Sequence, residues 1–341
     1  MAVSGASLRA NRSRGFFVID VGADCLGAFE TIIDVRSPSE FAHSHIPRAH
    51  NLFVLNDNER HIVGETYRRD PFSARMLGAS FVCANMSQHL QTFAQRFHPS
   101  QKILAYCARG GQRSLSFAVI LDNIGYRVAR LSGGYKSYRN HVCSFFAKPL
   151  PLRLFVLCGL TGSGKTEIVR ACKDGVDIEG IAAHRGSSFG AFGRIQPSAK
   201  MFQNLLFEAL ISKKIALVEC ESKRIGNLIL PSFLVQSMQQ GQKIEIIAPF
   251  EVRVQRIVAE YGTMDEAFFN QSMDRIQPYM QKAAWQQCKA HFARGEIVHC
   301  VEILLAEYYD RVYRRIACDV RIEHRNLKET VHKIQQLLDS M

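Results

Sequence analysis

Tyr106-Cys107-Ala108-Arg109-Gly110-Gly111-Gln112-Arg113-Ser114 follows the apolar run Ile103-Leu104-Ala105 and precedes Leu115-Ser116-Phe117-Ala118-Val119-Ile120-Leu121. The first run reads as a short buried strand and the second as a helix. A cysteine at the tip of a strand, with Gly110, Gly111 and the cations Arg109 and Arg113 close behind, describes a tight loop. Such a loop turns its backbone N–H groups inward toward an anion. Beside a helix N-terminus and two guanidinium groups, a thiol is held partly as thiolate and becomes nucleophilic. A buried structural cysteine needs neither the glycine pair nor the arginines. Two chemistries share this loop shape: transfer of sulfur or selenium, and hydrolysis of phosphate monoesters.

The sequence upstream separates them. Thr31-Ile32-Ile33-Asp34-Val35-Arg36 reads as a buried strand ending in charge, and Ser37-Pro38-Ser39-Glu40 starts a helix. Ser44-His45-Ile46-Pro47-Arg48-Ala49-His50-Asn51 follows as a turn into another short strand. The succession of Asp-Val-Arg, Glu-Phe, His-Ile-Pro and a strand-borne cysteine loop resembles the rhodanese domain, which favours transfer over hydrolysis. His43, His45 and His50 read as turn and surface residues, since no acid or cysteine completes a ligand set. An insert rich in small and charged residues, Asn56 to Arg68, lies where a plain rhodanese module connects more briefly. Leu131-Ser132-Gly133-Gly134-Tyr135-Lys136 is a turn with glycine freedom and a cation, and Asn140 to Leu150 reads as a linker.

Arg153-Leu154-Phe155-Val156-Leu157-Cys158 is a second buried strand. It runs into Gly159-Leu160-Thr161-Gly162-Ser163-Gly164-Lys165-Thr166 and then an amphipathic helix. This is G-x-x-x-x-G-K-T in the strand–loop–helix context that defines a P-loop. Gly159, Gly162 and Gly164 let the backbone wrap phosphate oxygens, Lys165 pairs with the terminal phosphates, and Thr166 sits on Mg²⁺. Ile215-Ala216-Leu217-Val218-Glu219 is the next strand, with Glu219 in the place of the acid that backs the metal. Lys243 to Pro249 is a third strand, and the helix after it carries Arg253 and Arg256 on one face. Either those two reach phosphate or they are solvated. Residues 263–341 read as helical. The stretch Val176 to Gly190, with Asp177, Glu179, His184, Arg185, Ser187 and Ser188, reads as a loop that handles anions and metal.

A length of 341 residues suits about two domains. With 47% hydrophobic and 22% charged residues the chain is globular, and no apolar run approaches the ~18 residues of a membrane span. The first residues, Met1 to Gly15, lack an apolar core, which argues against a secretory signal. Ten cysteines without CxxC pairs argue for reduced thiols in a cytoplasm rather than disulfides or zinc. The net charge of +12 is dispersed: residues 1–150 hold 18 Lys+Arg against 10 Asp+Glu, and residues 151–341 hold 25 against 21. A broad cationic surface suits a polyanionic partner.

The fold expected is α/β: a rhodanese-like domain over residues 14–140, a linker over 141–150, and a P-loop NTPase-like domain over 151–341 with a helical C-terminal part. That order, with the Asn56–Tyr67 insert, the two loops, Asp177–Gly190, Glu219 with Glu221-Ser222, and Tyr308-Tyr309-Asp310, resembles the tRNA 2-selenouridine synthase family from about residue 30 to 315. Ala108, Gln112, Lys223 and Arg311 depart from the family pattern.

The resemblance implies a two-step reaction on the wobble base of tRNA. The sulfur of 2-thiouridine receives a geranyl group from geranyl diphosphate, and selenium from selenophosphate then displaces it. Cys107 would carry selenium as a perselenide, with Arg109 and Arg113 stabilising the anion. Asp177, Glu179 and Glu219 would position Mg²⁺, and His184, Arg185, Ser187 and Ser188 would meet diphosphate or tRNA. The implied partners are the tRNA anticodon loop and a selenophosphate-producing enzyme, with a cytoplasmic monomer that has no membrane contact. Two other readings fit the motifs: a sulfurtransferase fused to an ATP-dependent kinase-like domain, and a non-catalytic nucleotide-switched binding protein.

Overall fold

A computed structural model describes residues 18–312 and 316–340. The expected start of the first domain at residue 14, the segment Met1 to Gly15 and the end of the family run at residue 315 lie outside the described residues. Two compact units divide between His141 and Val142.

In the first unit, strands β1 Ile19–Val21, β2 Thr31–Asp34, β3 His50–Asn51, β4 Lys102–Tyr106 and β5 Arg127–Leu131 form a parallel sheet in the order β1-β5-β4-β2-β3. The interior position of β2 and β4 explains their continuous burial around the apolar pairs Ile32-Ile33 and Ile103-Leu104, because a parallel sheet is covered on both faces. Every residue of β2 is buried, as are Ile103 to Tyr106 of β4. Helices α1 Pro38–His43, α2 Asp57–Arg69, α3 Pro71–Arg96 and α4 Gln112–Ile124 complete the unit with the first part of α5 Gly134–Phe146, within which the division at His141 falls. Ile33, Val35, Phe93, Phe117 and Leu121 lie in its core.

The insert after Leu52 proves to be a helical hairpin. Asn56 and Glu59 start α2 by a reciprocal pair: the Asn56 N–H donates to the Glu59 carboxylate at 2.8 Å, and the Glu59 N–H to Asn56 Oδ1 at 2.9 Å. A single residue, Asp70, then separates α2 from α3. Helix α5 continues to Phe146, through the start of the stretch read as a linker.

In the second unit the strands are β6 Arg153–Cys158, β7 Gly175–Val176, β8 Ile215–Glu219, the short hairpin β9 Arg224–Ile225 and β10 Leu228–Ile229, β11 Gln242–Ile247 and β12 Val320–Glu323. Its parallel sheet has the order β12-β11-β6-β8-β7. The helices are α6 Lys165–Ala171, α7 Ile178–Ile181, α8 Ala199–Leu210, α9 Ser232–Gln240, α10 Phe250–Tyr261, α11 Glu266–Ile276, α12 Lys282–Ala293, α13 Ile297–Leu304, α14 Asp310–Val312 and α15 Leu327–Asp339. The C-terminal part is helical except for β12, which extends the sheet beside β11. Val320-Arg321-Ile322-Glu323 alternates apolar and charged residues, the pattern of a half-buried edge strand. Helices α10 to α13 gather a separate apolar cluster that includes Phe269, Met273, Cys300 and Leu304.

Candidate active sites

The thiol loop is built by backbone. Gly110, Gly133 and Gly134 have φ of +68°, +69° and +59°, a region that favours glycine. A Cβ on Gly134 would stand 2.3 Å from the Cys107 carbonyl oxygen and 2.5 Å from the Gly110 nitrogen. The turn after β5 therefore presses directly on the loop after β4. Cys107 Sγ accepts from the Gly111 N–H at 3.2 Å and the Ser114 hydroxyl at 3.3 Å. Burial alone would push the thiol upward. The Ser114 hydroxyl, loop N–H groups and the Arg113 charge outweigh it, so its pKa lies below the usual thiol value. Arg113 is not a free cation: it donates to Glu40 of α1 at 2.7 Å. Arg109 is exposed at the mouth of the loop.

The P-loop joins β6 to α6. Gly159, Gly162 and Gly164 have φ of +146°, +79° and +90°. The Lys165 ammonium folds back onto the Gly159 and Leu160 carbonyls at 2.7 and 3.3 Å. Two arginines of α10 hold the loop from one side. Arg253 is buried; it donates to the Thr161 carbonyl at 2.8 Å and makes a two-pronged pair with Asp310 at 2.6 and 3.0 Å. Arg256 approaches the Gly162 carbonyl at 3.5 Å and donates to His324 Nε2 at 2.6 Å. The tautomer follows from the chain behind it. The Thr330 hydroxyl donates to the Asn326 carbonyl at 2.8 Å, so its oxygen accepts the His324 Nδ1 proton, also at 2.8 Å. Burial and the Arg256 charge lower the pKa of His324 and favour this neutral form.

Facing Lys165 is a group of acids. The Thr166 hydroxyl donates to Glu179 at 3.2 Å. A Cβ on Gly186 would meet Glu179 at 2.7 Å and Glu221 at 2.9 Å, so both carboxylates converge there. Burial, then mutual repulsion, raises Glu221 to about 9 and Glu219 to about 8, and burial raises Glu179. Glu219 Oε2 accepts from the Ile178 N–H at 3.2 Å, while its fully buried Oε1 has no partner among the described residues. An orphaned carboxylate oxygen in this group of acids fits a hard cation. No group of three or more His, Cys, Asp or Glu side chains among the described residues is placed to hold a metal unaided.

One cavity of about 730 Å³ opens from this cradle. Of the residues singled out in the sequence, it brings together Gly162, Gly164, Lys165, Thr166, Glu179, Arg185 and Ser187. Arg185 pairs with Glu260, lies over the Tyr261 ring at 4.9 Å, and keeps Nη1 buried without a partner among the described residues. Gly159, Asp177, His184, Ser188 and Glu219 stand behind the wall. Asp177 caps α7 by accepting from the Gly180 N–H at 2.6 Å and pairs with Arg170 at 2.5 Å. Buried His184 accepts from the Gly186 N–H at 3.1 Å, and Ser188 bonds to the Tyr308 hydroxyl at 3.2 Å. The far part of the cavity is apolar, walled by Phe269, Phe292, Ile297, Val301, Leu304 and Leu305. Phe269 and Phe292 stack with centroids 3.7 Å apart.

Two family models match: a Rhodanese-like domain over residues 23–141 and a tRNA 2-selenouridine synthase AAA domain over residues 152–276. A tRNA 2-selenouridine synthase of Psychromonas ingrahamii is 33% identical over 77% of this chain and 72% of its own length. One of Sulfurovum sp. is 35% identical over 83% of this chain and 87% of its own. The chain belongs to the tRNA 2-selenouridine synthase family. No disulfide joins cysteines among the described residues, and none of the described helices is long and apolar enough to cross a membrane.

Sequence reasoning missed Ser114, Glu40 and Glu221 as site residues and left Arg256 undecided. Ser114 was in plain view one turn into α4. Arg256 carried a signal in its spacing from Arg253, which puts both on the side of α10 that meets the P-loop. The apolar wall carried no local signal, because Phe269, Phe292 and Leu304 look like any helix core.

Proposed function

We propose that this protein converts wobble 2-thiouridine of tRNA into 2-selenouridine in two steps at two sites. The observation that carries the reading is a phosphate cradle and an apolar chamber sharing one cavity, on a chain that also bears an activated thiol. A nucleoside triphosphate offers such a chamber nothing, whereas a prenyl diphosphate matches both of its ends. Each buried CH₂ of the chain contributes about 0.8 kcal/mol.

In the first step the P-loop amides, Lys165, Arg185 and Arg256 hold the diphosphate of geranyl diphosphate. The thione sulfur takes the geranyl carbon, the carbon–oxygen bond breaks, and charge develops on the leaving diphosphate where these cations stand. Thr166 and Glu179 would hold Mg²⁺, which when bound adds charge neutralisation. Alkylation turns the sulfur into a leaving group and makes the ring carbon more electrophilic. In the second step the Cys107 thiolate takes the phosphoryl group of selenophosphate, which breaks the phosphorus–selenium bond and frees selenide. The selenide attacks that carbon, the carbon–sulfur bond breaks and geranylthiol leaves. Water then releases phosphate from Cys107, with the loop N–H groups and Arg109 stabilising the anions. The substrate is met in the cytoplasm.

Purified protein should be given tRNA bearing 2-thiouridine, and its nucleosides read by mass spectrometry. Geranyl diphosphate alone should yield the S-geranyl nucleoside, and added selenophosphate should yield 2-selenouridine. Steady ATP hydrolysis with no consumption of geranyl diphosphate would sink the reading in favour of a kinase-like domain.

A further inference from the structure

The two steps leave the α2–α3 hairpin without a task. At its turn three large side chains stand in solvent: Tyr67 is 52% exposed, Phe72 70% and Met76 62%. Arg68, Arg69 and Arg75, all exposed, surround them. The one acid at the turn, Asp70, is committed to starting α3. It accepts from the Phe72 N–H at 2.9 Å, the Ser73 N–H at 3.2 Å and the Ser73 hydroxyl. The next acid back, Glu65, faces His61 at 3.5 Å. No hydrogen bond or ion pair to the three arginines forms among the described residues. Three like charges and two bare rings on one turn are costly to a surface unless something covers them.

The hairpin is tied at its other end to the thiol loop. Arg60 lies 3.9 Å from Glu40, the residue that holds Arg113 at 2.7 Å. Asn85 of α3 donates to Glu59 at 2.7 Å. From Arg60 to Arg69 helix α2 advances about 14 Å at ~1.5 Å per residue. A stacked nucleic-acid strand covers that span in about four nucleotides at ~3.4 Å each. A polynucleotide presenting a base to Cys107 is therefore long enough to reach the hairpin turn within several phosphates. A protein partner could cover Phe72 and Met76, but phosphates supply the counter-charge that the three arginines lack.

We infer that the α2–α3 turn is an RNA-docking face, on which Arg68, Arg69 and Arg75 meet phosphates of the anticodon stem–loop and Tyr67 and Phe72 stack on unpaired bases. The inference rests on tRNA being the substrate. Binding of full-length protein to tRNA with wobble 2-thiouridine, measured over a salt series, tests it. Replacing Arg68, Arg69 and Arg75 together by alanine should weaken binding at least tenfold and flatten the slope of log K against log salt by about 2, at ~0.7 per lost contact to a single strand. The triple change to lysine should restore the slope, which separates lost charge from a damaged fold. Tyr67→Ala with Phe72→Ala should weaken binding about tenfold with the slope unchanged, because stacking releases no counterions. Alanine variants that bind tRNA with the affinity and slope of the parent would overturn the inference and leave the face to a protein. If the parent itself shows no salt-dependent tRNA affinity, the substrate reading fails instead.

Discussion

The two loops use glycine in the same way yet draw on the chain differently. The thiol loop takes its donors from Gly111 and Ser114, a few residues from Cys107, and one more distant turn, at Gly133-Gly134, shapes it. The P-loop makes its own backbone ring, but its surroundings come from far along the chain: Asp310 through Arg253, and His324 through Arg256. Its apolar chamber is assembled from three further helices, α11, α12 and α13, and from Leu305 just after α13. A nucleophile needs a local field at one sulfur atom. A site for a long amphiphile needs a wall, and a wall is a tertiary object.

The largest expected effect separates the two loops outright. Cys107→Ala should lower selenium transfer on the order of 10⁴-fold, as loss of a nucleophile does, while leaving formation of the S-geranyl nucleoside intact. Glycine replacements come next. Gly134→Ala forces a Cβ into the Cys107 carbonyl at φ +59° and should destabilise the first unit by about 1–3 kcal/mol in urea unfolding, with transfer lost and geranylation kept. Gly162→Ala places a Cβ 2.9 Å from the Arg253 carbonyl oxygen at φ +79°. It should raise KM for geranyl diphosphate and leave alkylation of Cys107 unchanged.

A smaller effect tests the reach of the C-terminal part. Asp310→Ala leaves the Arg253 guanidinium buried without its carboxylate, at a cost of about 1–3 kcal/mol. Weaker binding of inorganic diphosphate in calorimetry should report it, with the pH profile of Cys107 unmoved. The smallest is a shift in pH. Hydrogen bonds to Sγ hold the thiol pKa down, so the thiolate persists to lower pH than an ordinary cysteine keeps it, and is lost as pH falls through the depressed value. Ser114→Ala removes one donor worth ~1 kcal/mol, which moves the acid limb of iodoacetamide alkylation to higher pH and slows alkylation about fivefold below it. Equal profiles for the variant and its parent would mean the Ser114 hydroxyl does not act on the sulfur.

How legible each part was follows from the same contrast. Both motifs and the central strands β2, β4, β6 and β8 were readable, because a buried parallel strand is a continuous apolar run and each phosphate or thiol loop is contiguous. The hairpin α2–α3 was seen only as an insert, since Asn56-Asp57-Asn58-Glu59 looks like a polar loop until the reciprocal Asn56–Glu59 cap is recognised. Strand β12 was hidden by its four-residue length among helices. Asp177 and His184 were picked out by the crowding of polar residues alone, and the contacts that place them, the Asp177 cap on α7 and the Gly186 N–H on His184, carried no signal in the sequence. Arg253 and Arg256 have the same spacing signal and opposite fates, one a buried brace and one a wall of the cavity, which only the position of Asp310 and His324 decides.

Division of labour between the loops is tested most directly with Lys165→Ala and tRNA that already carries the S-geranyl group. The variant should fail to geranylate 2-thiouridine but convert the pre-geranylated tRNA to 2-selenouridine at the parent's rate. Loss of both conversions to the same extent would contradict the account.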